Sequence, residues 1–134
     1  MEQALFPVLT HPHAVTFMKV ILTSFFWIAG VFGVFNFKTI IQEMVDCGLP
    51  YPVVFAVATV LCQLTGSALL ITDYQGLAWL GAGALGVFTL LCIPIAHPFW
   101  KFDGERRMLE FQVALEHITV VGGLMLGAAI SMAY

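Results

Sequence analysis

The sequence predicts an all-α fold, a bundle of four transmembrane helices with a short interfacial amphipathic helix between spans one and two. Three observations predict it. Four apolar runs, at residues 14–35, 52–72, 76–96 and 112–133, fill most of the 134-residue chain, and each reaches the roughly 20 residues an α-helix needs to cross the hydrocarbon layer. Charged residues make up 10% of the chain and hydrophobic residues 60%, whereas about 25% of an ordinary soluble domain is charged. The runs also lack the polar stripe of helical period that a soluble helix turns to water. In the bilayer core no water satisfies backbone N–H and C=O groups, so such runs must bond within themselves as helices. A single integral membrane domain over residues 1–134 is expected, with the lipid bilayer as its first partner.

The elements follow in order. Residues 1–13 read as a short interfacial lead punctuated by Pro7 and Pro12. His11 and His13 flank Pro12, and such a pair without further ligands does not mark a metal site. The chain opens Met1-Glu2-Gln3 without a basic region, so the first run is expected to be a retained span rather than a cleaved leader. Lys19 is the one charge in that run, near one face, where its long stem reaches back to water. In 36–51, Phe37, Ile40, Ile41, Met44 and Val45 recur at helical spacing opposite Lys38, Gln42, Glu43 and Asp46, the pattern of a helix lying in the interface. Gly48 ends it, and Pro50 and Pro52 stop its continuing. Asp73-Tyr74-Gln75 is a tight turn, making spans two and three an antiparallel hairpin. The stretch 97–111 is the most polar and is expected as a loop. Trp79 and Trp100 fall near span ends, as interfacial aromatics do.

Charge orients this bundle. Lys38, Lys101, Arg106 and Arg107 belong to the first and third loops, which the positive-inside rule places in the cytoplasm, with both termini on the periplasmic side. The formal charge of −3 is spread thinly, and no basic cluster suggests a nucleic-acid partner. Cys47, Cys62 and Cys92 show no metal-ligand spacing and no disulfide framework; a thiol inside a span behaves as a small apolar group. Gly81-Ala82-Gly83-Ala84-Leu85-Gly86 fits G-x-G-x-x-G, but no strand precedes it, so it does not read as a nucleotide site. Small residues at this density let helix backbones approach closely. Gly123 and Gly127 form a G-x-x-x-G with the same meaning, either inside the bundle or against a second copy in a homo-oligomer.

Ionisable and amide groups inside spans are the functional candidates, because they are expensive to keep there. They are Asn36 closing span one, Gln63 in span two, His97 ending span three, and Glu116 and His117 near the start of span four, with Trp100 beside them. The same residue types also serve as plain interhelical hydrogen-bonding groups. Nothing in the spacing of His97 and His117 shows the opposed rings that axial haem ligation needs, and no metal is expected.

A wider pattern joins these positions. Gly33 ends span one; Met44-x-x-x-Gly48-x-Pro50 precedes span two; Gln63-Leu64-Thr65-Gly66 lies within it; His97-Pro98-Phe99-Trp100 follows span three; Phe111 and Gly122-Gly123 belong to span four. In order and spacing, over nearly the whole chain, this set resembles the DoxX family of small four-span bacterial membrane proteins. The chain departs from the family's usual Glu at Gln63, from a common Lys-Asn at Glu116-His117, and from a common Lys near Asn36. The resemblance implies a four-helix bundle in a bacterial inner membrane. It also implies a redox setting: some relatives are small subunits of a thiosulfate:quinone oxidoreductase, and others are membrane partners in redox and stress assemblies.

Three readings of function follow. The first is an accessory protein that binds a quinone or similar lipid-soluble molecule among Gln63, His97, Glu116 and His117, with a histidine donating to a carbonyl and Glu116 carrying protons. No nicotinamide, flavin or haem motif is visible, so such a chain would work with a partner redox protein rather than as an enzyme alone. The second is a structural, oligomeric bundle without a ligand. The third is a small transporter or channel; four spans without an inverted repeat make it the weakest of the three.

Overall fold

The structure is a computed structural model and describes residues 1–133. It is all-α. Among the described residues seven helices follow one another: α1 (Glu2–Leu9), α2 (Pro12–Leu22), α3 (Ser24–Phe35), α4 (Phe37–Asp46), α5 (Pro52–Thr72), α6 (Ala78–Ala96) and α7 (Gly104–Ala133), with short 3-10 turns at Tyr74–Gly76 and Phe99–Lys101. Three stretches are long and apolar enough to cross a membrane: Pro52–Thr72, Ala78–Lys101 and Gly104–Ala133. Up to five qualify if each of two bent pairs counts as one span; α1 meets α2 at 69° and α3 meets α4 at 108°. Large apolar side chains face outward all round, with Leu126 67% and Phe25 61% exposed. Water would not tolerate so large an apolar exterior, and lipid does.

Local chemistry sets the boundaries. The N-terminal lead contains the helix α1, and α2 begins anew at Pro12, where His11 Nδ1 accepts from the His13 amide at 3.2 Å. A proline at the first helical position loses only an amide that had no partner there. The first apolar run is two helices, not one. The break falls at Thr23, whose buried hydroxyl donates to Lys19 O at 2.7 Å. The Trp27 indole N–H donates to Val20 O across the break, at 3.1 Å. Lys19 itself is buried, so it faces the bundle rather than the surface.

The amphipathic helix expected after span one is present as α4, and it docks its apolar face on α5: Ile40 packs with Ala56 and Val60, backed by Phe37, Ile41, Met44 and Leu64. Gly48 takes a positive φ of +74°, and the amides of Gly48 and Leu49 turn back to Val45 O and Met44 O at 2.9 and 3.1 Å, the paired closure that stops a helix after a left-handed residue. Pro52 then opens α5. The turn between α5 and α6 is as tight as expected, and Asp73 Oδ1 holds the Ala78 amide at 2.9 Å to start α6.

α5 and α6 touch through glycine. A Cβ at Gly81 would stand 2.5 Å from Gly66 O, so the two backbones are in contact there. Phe26, Leu70, Ala78, Ala82, Leu85 and Leu124 form the core around this crossing. Gly30 and Gly33 let α3 close on Leu64 and Val60 of α5, and Gly123 and Gly127 receive Leu22 of α2. The G-x-x-x-G of the last helix therefore packs inside the chain. The most polar stretch is a loop only as far as Asp103. From Gly104 it is the first two turns of α7, continuous with the apolar run that follows.

Candidate functional site

His97 caps α6 with a non-helical backbone, φ −128° and ψ 51°. Its amide still reaches back to Cys92 O and Ile93 O, and Pro98 blocks further helix. The side chain is thereby turned toward α7, where His97 Nδ1 meets Glu110 Oε2 at 2.7 Å. Both side chains are about three-quarters shielded, at 28% and 21% exposure. The His117 ring stands 5.0 Å from the His97 ring, edge to face at 64°. His117 Nδ1 lies 2.8 Å from Val113 O. A carbonyl oxygen only accepts, so Nδ1 carries the hydrogen and Nε2 is left to exchange protons. His97, with Nδ1 committed to a carboxylate, likewise presents Nε2. Two imidazoles and one carboxylate thus form a compact acid–base group at the loop end of α6 and α7.

Aromatic contacts fasten the connection above this group. Phe99 packs edge to face on Phe111 at 5.0 Å and on Trp100 at 5.1 Å. The Arg106 guanidinium lies 3.9 Å over the Phe102 ring. These contacts hold the short turn against the start of α7 and so help to keep His97 facing Glu110.

The structure brings together part of the expected set. His97 and His117 are neighbours. Trp100 is half-exposed in the turn next to them. Glu116 is exposed, on an outward face of α7, and the carboxylate that reaches His97 is Glu110. The sequence alone places Glu110 in the polar loop, and the structure places it in α7. A signal for it was present: positions 110 and 117 are seven apart and share a helix face to within about 20°, whereas 116 points about 100° from 117. Gln63 is buried against α3, where its Cβ lies 3.4 Å from the position a Gly30 Cβ would take. Gly66, three residues further along α5, faces Leu85, which is 12 residues before His97; at about 1.5 Å per residue Gln63 therefore stands more than about 10 Å along the axis from His97. Asn36 is exposed at the end of α3, with its amide donating to Phe32 O at 3.0 Å. Among the described residues no cluster of three His, Cys, Asp or Glu side chains is arranged to hold a metal.

An all-helical chain with several bilayer-length apolar helices and an acid–base group at one end defines a small multi-pass membrane protein. The chain belongs to the DoxX family, whose model matches residues 14–98. The match takes in α2 to α6 and stops just after His97; Glu110 and His117 lie beyond it. No curated protein and no solved structure matches the chain.

Proposed function

We propose that this protein is a non-enzymatic accessory subunit of the bacterial inner membrane. In this reading it receives the head group of a lipid-soluble quinone at His97, Glu110 and His117. α2 and α3 together make the first of four spans, running through the break at Thr23, and α5, α6 and α7 make the others. An even number of spans returns both termini to one side. Lys38, Lys101, Arg106 and Arg107 lie at the opposite end, and the positive-inside rule supports a cytoplasmic position for that end and a periplasmic one for the termini.

The observation that carries the ligand reading is the 2.7 Å contact of His97 with Glu110, with a second imidazole 5.0 Å away. Protonated His97 donates Nε2–H to a quinone carbonyl, and neutral His97 accepts from a quinol hydroxyl. Glu110, not Glu116, takes the proton-handling part. With no redox motif of its own, the chain would hold the ligand for a partner enzyme that moves the electrons.

The test is direct. Protein purified in mild detergent is extracted with organic solvent and its quinone content measured. Wild type should carry quinone; His97→Ala should lose it; Glu110→Gln should hold less; Glu116→Gln should match wild type. Wild-type protein without quinone ends the reading.

One observation favours a second reading, a structural bundle that pairs with another copy. Gly83 has open space around it, and exposed Leu80, Val87 and Leu90 share its stripe on α6. Gly83→Leu should then change the size of the assembly in detergent, and an unchanged size removes the reading.

A further inference from the structure

We infer a binding site for one anionic phospholipid at the start of α7, with Arg107 holding its phosphate over an apolar groove. This inference does not depend on the quinone reading; it rests on the membrane character of the chain and on a different face of α7.

α7 has 30 residues. At about 1.5 Å per residue it is about 45 Å long, some 15 Å more than the hydrocarbon layer is thick. Its first turns therefore project to the level of the lipid head groups. There a cavity of about 260 Å³ is lined by Phe99, Gly104, Arg107, Met108 and Phe111. Four of these five residues offer only apolar or backbone surface. Arg107 supplies the one charge.

The state of the neighbouring cations singles out Arg107. The Arg106 guanidinium is stacked on Phe102. The one ion pair among the described residues is that of His97 with Glu110, so Arg107 has no carboxylate partner. Glu105, two residues earlier, points about 160° away round the helix. Lys101, exposed in the adjoining turn but outside the cavity lining, adds positive charge to the same end of the protein. A planar guanidinium matches a phosphate diester with two parallel hydrogen bonds, and the aromatic and methionine floor beneath it suits the upper part of an acyl chain. A zwitterionic lipid would bring its own ammonium beside Arg107 and Lys101, which disfavours it.

The test reconstitutes the protein into phosphatidylcholine vesicles containing a minor fraction of phosphatidylglycerol. Dibrominated chains are carried in turn by the phosphatidylglycerol and by an equal amount of the phosphatidylcholine. Bromine quenches nearby indoles. The Trp100 share of the signal is obtained by subtracting that of Trp100→Phe, a change at an exposed site next to Phe99. Brominated phosphatidylglycerol should quench Trp100 more strongly, and the derived preference should fall roughly fivefold in Arg107→Gln, about what one basic side chain is worth at an anionic surface. Lys38→Gln, a charge removed elsewhere at the same end, should leave the preference intact. Equal quenching by the two lipids in wild type, retention of the preference in Arg107→Gln, or an equal loss in Lys38→Gln would each overturn the site. Displacement by millimolar inorganic phosphate would also overturn it, since that would make the ligand a soluble anion.

Discussion

Adding one methyl group at Gly81 asks whether backbone contact is what joins α5 to α6. A Cβ at that position would stand 2.5 Å from Gly66 O, 2.9 Å from Leu69 Cβ and 2.9 Å from Leu70 N. Two of these three atoms are backbone, so no rotamer change relieves the clash. Restoring ordinary contact, at about 3.4 Å, requires the helices to separate by roughly 1 Å. A gap of that size forfeits about a quarter to a half of the attraction between facing atoms. The loss extends to Leu70, Ala78, Ala82 and Leu85, which pack around the crossing. Overpacking of this kind costs about 1–3 kcal/mol. Gly83 provides the comparison within the same helix: it meets nothing within 4 Å, so Gly83→Ala should gain up to about 1 kcal/mol of helix propensity. Gly81→Ala gains the same propensity, so the two variants should differ by the overpacking alone, about 1–3 kcal/mol. Thermal unfolding followed by circular dichroism in a single detergent reads the difference. Gly81→Ala should melt several degrees below wild type, and Gly83→Ala at or above it. Equal melting of the two variants would refute the reasoning, because then the tight crossing would contribute nothing that separated helices lack.

The carboxylates of α7 should behave differently in the same assay. Glu110→Ala removes a short, largely shielded contact with His97 and should lower stability by about 1 kcal/mol, whereas Glu116→Ala should stay within about 0.5 kcal/mol of wild type; the reverse order would reassign the site. Cys47, just past α4, has its thiol pushed up above the usual range, by burial first and then by the Glu43 and Asp46 carboxylates. Raising the folded value keeps the neutral thiol to higher pH. In a Cys62→Ser/Cys92→Ser background, maleimide labelling at mildly alkaline pH should therefore be slower than for an unstructured peptide, and Glu43→Gln or Asp46→Asn should speed it. The proposed four-span arrangement predicts both termini on one side: a periplasm-dependent phosphatase should be active when fused at either terminus and inactive when inserted at Asp103, and activity at one terminus alone would demand an odd number of spans.

Much of the helical framework was legible because lipid imposes a coarse rule. Apolar length and the need to close every backbone bond locally are enough to find α5, α6 and the apolar part of α7. The end of α4 was legible for a different reason: Gly48 permits a left-handed turn, and Pro50 and Pro52 prevent the helix from resuming. The break at Thr23 was not legible. No proline or glycine marks it, and it is held by a hydroxyl and an indole bonding to Lys19 and Val20, contacts that exist only once the chain is folded. The candidate site was half legible. His97 and His117 stood out as polar groups at span ends. Glu110 did not, because the hydropathy boundary near Gln112 is not the helix boundary: α7 runs straight through it from Gly104.

The order of apolar and polar residues by itself determined that the chain is helical and that α5, α6 and α7 are of bilayer length, because these properties depend on composition summed along one segment at a time; the order and spacing of its motifs carried the DoxX pattern. Only the tertiary structure decided which carboxylate meets His97, which glycines face a neighbour and which face open space, and that Lys19 turns inward. Each of those outcomes depends on how one helix is rotated and where it crosses another, and the packing of side chains across the bundle sets both.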